Sequence, residues 1–286
     1  MKPPCAEAVG GLPRSRWQDQ HATQEVRMRY GLMSSSMPGT YEEVIRNCGR
    51  LGFDGVELDV GADYESNMLW QAEGRSRLRR LLSDAGLELA SVCLGTFWTY
   101  SFASPDAAVR QRANRFTRDA IGWCAELGAR VILVPVTPGA EGEDQAAARR
   151  MWIEELKRVA PAAEQSQVCL AVENVGRGSG RTADALLEIV EGVGSPFVQV
   201  YYDFGNGLTL GGDPAAEILK LGKRIVQVHA KDPRGQYMGE GQVDMQAVKA
   251  ALDRIGYDRY LVLETPATDD PVAAAERNLR FLREHF

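Results

Sequence analysis

From Met28 to the C-terminus, eight short apolar runs alternate with eight amphipathic segments, and this alternation limits the available folds more than any other feature. The runs read as strands over Met28–Met33, Gly55–Leu58, Glu88–Leu94, Val131–Pro135, Cys169–Glu173, Val198–Asp203, Ile225–His229 and Tyr260–Glu264. Helices are expected over Thr40–Leu51, about Glu73–Ala85, Asp106–Leu127, Asp144–Ser166, Thr182–Val193, from near Asp213, over Met245–Ile255 and over Pro271–Phe286. Val44, Ile45 and Cys48 fall on one face of the first helix, and Leu78, Leu81 and Leu82 on one face of the second. Strand–helix repetition of this kind specifies a parallel sheet, and eight units are more than an open, doubly wound sheet needs. The expected fold is α/β, a single-domain (β/α)8 TIM barrel over residues 28–286. Gly52 and Gly128, each standing just before a strand, suit helix ends that need a left-handed residue.

Residues 1–27 follow neither period and lack the apolar core of a signal peptide, so they read as a disordered or non-native leader, with Met28 as an alternative start. No apolar run approaches the roughly 20 residues needed to cross a bilayer. The formal charge of -6, with no basic stripe, disfavours a nucleic-acid partner. The five cysteines, Cys5, Cys48, Cys93, Cys124 and Cys169, form an odd set with no C-x-x-C pair. They read as small core residues of a reducing compartment, and a cytoplasmic location is expected.

Chemistry is concentrated at the strand ends. Glu173, Asp203, His229 and Glu264 each close an apolar run, 30, 26 and 35 residues apart. Roughly 30 residues make one βα unit, so these side chains belong to successive strands and meet at the C-terminal face, where barrel active sites lie. Three carboxylates and an imidazole gathered there repel one another unless a cation joins them. Oxygen-rich ligands with one nitrogen and no thiolate suit Mn, Mg, Co, Fe or Zn in an open Lewis-acid site. Such a site polarises a carbonyl and stabilises an enediolate oxyanion, while carboxylates move protons. His229 is one of only three histidines, the others being His21 and His285. The aromatic stretch Thr96–Phe102, which includes Trp98, suits core packing or the wall of a sugar pocket. Gly235 and Gly239 to Gly241 suit either a phosphate-binding backbone or the hinge of a lid.

Several motifs then bring a family into view: Gly-Phe-Asp-Gly-Val-Glu at 52–57, Leu-Gly-Ala-Arg-Val-Ile at 127–132, Val-Glu-Asn at 172–174 and Tyr-Asp-Phe-Gly-Asn at 202–206. Val-His-Ala-Lys-Asp at 228–232, Gly-Glu-Gly-Gln-Val-Asp at 239–244 and Leu-Glu-Thr at 263–265 complete the set. In order and spacing the chain resembles the xylose isomerase-like barrels, and among them the sugar (phosphate) isomerase/epimerase group related to ketose 3-epimerases. The resemblance implies that Glu173, Asp203, His229 and Glu264 hold one divalent metal, Mn foremost. It implies that Glu173 and Glu264 flank the reacting carbon as an acid/base pair. Glu57, Asn206, Arg234 and Trp98 are the expected substrate contacts, with a salt bridge behind the pocket as the alternative for Glu57, a solvated loop position as the alternative for Arg234, a small sugar or polyol as partner, and homo-oligomer formation common among relatives. Two positions depart from the ketose 3-epimerase pattern: Asn206 where many have a histidine, and Ser179 where many have a second Glu. The alternative to isomerisation is a lyase, since the same chemistry eliminates a leaving group β to the carbonyl, as in dehydratases of keto-inositols and C-glycoside-cleaving enzymes. DNA repair of the endonuclease IV type shares the fold but needs more histidines than this barrel has.

Overall fold

A computed structural model describes residues 28–266 and 268–286 of the chain; the leader proposed for residues 1–27, and with it Cys5, lies outside them. Eight parallel strands pair in sequence order, and β1 (Arg29–Met33) closes the barrel on β8 (Tyr260–Leu263) through the pairing of Tyr30 with Leu261 and Gly31 with Val262. Between them run β2 (Gly55–Asp59), β3 (Glu88–Cys93), β4 (Val131–Pro135), β5 (Cys169–Glu173), β6 (Val198–Asp203) and β7 (Ile225–Ala230). The outer layer contains α1 (Tyr41–Leu51), α2 (Ala72–Ala85), α3 (Ala107–Leu127), α4 (Gln145–Ser166) and α5 (Ala183–Val193). It continues with α6 (Phe204–Thr209), α7 (Pro214–Leu221), α8 (Met245–Ile255) and α9 (Pro271–His285). The (β/α)8 barrel expected from the alternation is therefore the fold, with strand limits within one or two residues of those read from the sequence.

The helices start and stop where local chemistry dictates. Thr40 and Glu43 form a reciprocal capping box ahead of α1, and Asp106, Asp144, Thr182, Asp213, Asp244 and Asp270 cap later helices through their side chains. At the other end of α1, Gly52 adopts φ 85°, a left-handed value that an L side chain resists. One helix was not visible in the sequence. α6 follows Asp203 directly, and its Phe-Gly-Asn-Gly start carries no apolar period; it forms because Asp203 caps it, Oδ1 accepting from the Asn206 N–H at 2.8 Å.

Alternation along each strand divides the core in two. Side chains facing outward, such as Val172, Val200 and Val228, pack under the helices, while Met33, Leu133, Ala171, Tyr201 and Val262 fill the barrel itself. The aromatic stretch after β3 divides in the same way. Phe97 and Phe102 are fully buried against Trp152, with ring centroids 5.3 and 5.2 Å from it, so they serve packing rather than a sugar pocket. Trp98 remains 46% exposed. Cys48, Cys93 and Cys124 are buried, Cys169 is half-buried, and all four are free thiols. No helix among the described residues is long and apolar enough to cross a membrane.

Candidate active site

Strand parity decides which side chains enter the barrel mouth. On β5, β6 and β7 the inward positions run Ala171–Glu173, Tyr201–Asp203 and Gln227–His229, so each strand ends in a polar side chain that points inward. Asp203 and His229 are register partners across β6 and β7. Glu264 comes one residue after β8, and its backbone N–H still bonds the carbonyl of Ala230 at 3.1 Å. As a result Glu173, Asp203, His229 and Glu264 each bring one ligand atom within 4.8 Å of all the others.

The imidazole stands at the centre of this group. Its Nδ1 lies 2.9 Å from Glu173 Oε1 and 3.3 Å from Glu264 Oε2, while Nε2 meets Glu57 Oε1 at 2.8 Å. Glu57 lies deeper than the other expected substrate contacts. Expected to contact substrate, it is fully buried, and its other oxygen accepts from the Ser91 hydroxyl at 2.5 Å and the Tyr201 hydroxyl at 2.9 Å. Its carboxylate faces His229 from within the barrel, below the mouth, and so leaves Nδ1 as the nitrogen available to a ligand. Gln227 extends this buried layer, its amide donating to the Ser91 hydroxyl at 2.6 Å.

Burial and crowded charge shift the titration of His229, Asp203, Glu173 and Glu264. Burial opposes a proton on His229, yet Glu57, Glu173 and Glu264 outweigh it and hold the imidazole pKa well above its usual value. Burial pushes Asp203 up to about 8 against the pull of Lys231, and raises Glu173 despite its bond to His229. Glu264 is also pushed up by burial, but His229 and Lys231 prevail and hold it below the usual carboxylate range. Asp203 Oδ2 is buried without a hydrogen-bond donor, and an orphaned carboxyl oxygen beside two further carboxyl groups and an imidazole suits a hard or borderline divalent cation. The residues present therefore fit a metal.

Two residues at this site were overlooked in the sequence. Asn174, though part of the Val-Glu-Asn motif, carried no signal of its own; its side-chain oxygen accepts from the Asp203 N–H at 2.9 Å and its amide donates to the Asp203 carbonyl at 2.8 Å. This reciprocal clasp fixes the end of β6 against that of β5, and with it two of the four ligand positions. Lys231, two residues beyond His229, places Nζ 2.8 Å from Glu264 Oε2 and 3.5 Å from Asp203 Oδ2.

The remaining expected contacts surround the mouth. Asn206 is half-buried, with its side-chain amide donating to the Asn174 carbonyl at 3.0 Å. Arg234 is exposed on the loop after β7 at a left-handed φ of 68°. The Arg177 guanidinium, on the loop after β5, stacks 5.2 Å above the Trp98 ring. Ser179, fully buried like its neighbour Gly180, has a hydroxyl with no partner among the described residues.

The glycine loop after β7 does not offer a free phosphate cradle. Asp232 is buried and its carboxylate accepts the N–H groups of Gly239 and Gly241 at 2.9 Å and of Val243 at 3.2 Å. A Cβ on Gly241 would come within 2.0 Å of Asp232 Oδ1, which explains the glycine. Asp232→Ala would leave three N–H groups without their acceptor, and a bond to a charged acceptor contributes about 1.5–3 kcal/mol each when intact. Water recovers part of this on a partly exposed loop, so the expected loss is roughly 2–4 kcal/mol. Faster hydrogen exchange at the Gly239 and Gly241 amides would accompany it.

Comparison with known proteins agrees with this geometry. Over 237 residues, 77% of this chain and 82% of the relative, the sequence is 32% identical to a putative L-ribulose-5-phosphate 3-epimerase, SgbU, of Escherichia coli (strain K12). It is 28% identical over 254 residues, 85% of this chain and 89% of the relative, to the L-ribulose-5-phosphate 3-epimerase UlaE of Shigella flexneri. In three dimensions it superposes on the crystal structure of a D-allulose 3-epimerase from Methylomonas sp. with a TM-score of 0.79, covering 91% of this chain and 98% of that one at 20% identity, a likeness of fold. The sequence profile of the xylose isomerase-like TIM barrel matches residues 45–285, nearly the whole barrel, and the chain belongs to that family.

Proposed function

We propose that this chain is a divalent-metal-dependent ketose epimerase or isomerase, with a free or 5-phosphorylated ketose as substrate and Mn as the first metal to test. The observation that carries the reading is the convergence of Glu173, Asp203, His229 and Glu264, four ligand atoms within 4.8 Å, at the mouth of the barrel. The sequence similarity to L-ribulose-5-phosphate 3-epimerases supports the substrate class. When bound, the cation would supply a Lewis acid for the substrate carbonyl and for the negative charge that develops there.

The chain's own residues do the rest. Glu173 and Glu264 approach His229 Nδ1 from different strands, 2.9 and 3.3 Å away, so two carboxylates stand beside one reaction centre. One removes the proton from the carbon next to the carbonyl, and the other returns a proton to the opposite face, which inverts the stereocentre. Glu57 orients the imidazole, and Asn174 fixes the Asp203 backbone against the end of β5. Asn206, Arg234 and Trp98 are proposed to contact the sugar around the rim. The four free thiols are consistent with a reducing, cytoplasmic setting.

The test is solvent deuterium exchange into a panel of ketoses, ketose 5-phosphates and keto-inositols. The enzyme is first stripped with chelator, and Mn, Mg, Co, Zn or Fe is then added back singly. Metal-dependent deuterium incorporation next to the carbonyl, with an inverted product, is the expected result. A dehydrated or chain-cleaved product would replace the epimerase reading with a lyase, and full activity in the chelated protein would remove the metal from it.

A further inference from the structure

We propose that Lys231 is the built-in counter-ion of the metal site: its ammonium holds Glu264 and Asp203 together when no cation is bound and thereby sets how tightly a divalent cation binds. The inference rests on the metal-site reading above and deepens it. Lys231 lies just past β7, two residues after His229, and so shares its inward face. Its Nζ touches the two ligand carboxylates that His229 holds least closely: Glu264 Oε2 at 2.8 Å and Asp203 Oδ2 at 3.5 Å. The orphaned Asp203 oxygen has no hydrogen-bond donor, and this ammonium is the positive charge nearest to it among the described residues.

The backbone around Lys231 is built to place it there. A Cβ on Gly205 would lie 2.6 Å from the Lys231 carbonyl oxygen and 2.8 Å from Lys231 Cβ, so only glycine lets the first turn of α6 rest against the lysine stem. The side chain is 29% exposed, and solvent on one side leaves the ammonium somewhere to go when a stronger cation takes its oxygens.

A divalent ion and the ammonium compete for the same atoms. If both remain, like charges a few ångströms apart in a partly buried site repel strongly; if the ammonium leaves, its contacts with Glu264 and Asp203 are lost. Either way Lys231 weakens metal binding, by roughly tenfold or more even at an effective dielectric of about 20. Without a metal it does the opposite for the fold, since it neutralises part of a carboxylate cluster that otherwise repels itself.

The test uses the full chain, stripped with chelator and titrated calorimetrically with Mn²⁺ alone, as wild type, Lys231→Met and Lys231→Arg. The methionine variant is expected to bind Mn²⁺ at least about tenfold more tightly, with the arginine variant close to wild type. Its melting temperature should fall below wild type in the chelated protein, and the gap should narrow when Mn²⁺ saturates both. A lysine that merely supports the fold would lower both melting temperatures equally and leave the Mn²⁺ affinity unmoved, and that result, or weaker binding by the variant, overturns the inference. Lys231→Gln gives the same comparison if the methionine variant does not fold. Wild type that binds no divalent ion at all would instead overturn the metal-site reading itself.

Discussion

Replacing Glu173 or Glu264 by glutamine is expected to lower kcat about 10³-fold or more while leaving the barrel folded. A positioned acid or base contributes roughly 10²–10⁴-fold by itself, and each of these residues is also a metal ligand in the proposed reaction. Glutamine keeps the shape and one carbonyl oxygen but can neither take nor give the proton. The two variants should also differ in a way that simple loss of metal cannot imitate. With two carboxylates working on opposite faces of one carbon, each remaining carboxylate reaches the proton of only one epimer. Glu173→Gln should therefore retain slow solvent exchange with one member of the epimer pair, and Glu264→Gln with the other, neither giving inversion. Deuterium incorporation measured separately from each epimer, at saturating metal, reads this directly. Equal and complete loss from both epimers in both variants would indicate that these residues only hold the metal, and undiminished turnover would remove them from the mechanism.

Glu57 should produce the second largest effect, although it stands below the mouth of the pocket. Its carboxylate is the partner of His229 Nε2 among the described residues and also accepts from Ser91 and Tyr201, all of them buried. Glu57→Gln keeps an oxygen for the imidazole but removes the charge that makes it a good ligand, and outer partners of this type are worth about 10–100-fold in metal affinity. Glu57→Leu goes further, leaving the imidazole N–H and two hydroxyls buried without an acceptor at about 1–3 kcal/mol each, so a fall in stability of several kcal/mol is expected. Calorimetric Mn²⁺ titration of the glutamine variant and denaturant unfolding of the leucine variant check the two parts. A glutamine variant that binds metal like wild type would show that His229 is oriented by something else.

The contrast between these two predictions follows what the chain reveals at each level. Glu173, Asp203, His229 and Glu264 could be identified from sequence because the βα period places every strand end on the same face of a barrel. A polar side chain of inward parity at such a strand end can only enter that mouth. The helix limits were legible for an equally local reason, since capping residues such as Thr40 and Asp213 and left-handed glycines such as Gly52 act within a few positions of themselves. α6 was not legible, because its cap is a strand-end carboxylate and its first turn carries no apolar period.

Partnership across the barrel is the part that sequence could not supply. Glu57 and His229 stand 172 positions apart and meet only because β1 pairs with β8 and closes the sheet. The motif that suggested a substrate contact or a salt bridge places its carboxylate against an imidazole. The glycines after β7 suggested either a phosphate cradle or the hinge of a lid, and Asp232 folds back onto the N–H groups of Gly239 and Gly241, a choice set by loop conformation. Lys231 carried no signal of its own in the sequence; its ammonium reaches Glu264 and Asp203 where Gly205 lets α6 rest against its stem. The sequence by itself determined the barrel and the four residues at its mouth, because a fixed repeat and a fixed strand parity leave them one direction. The tertiary structure alone decided which groups face one another there, because hydrogen bonds and charges act over a few ångströms and have no memory of position along the chain.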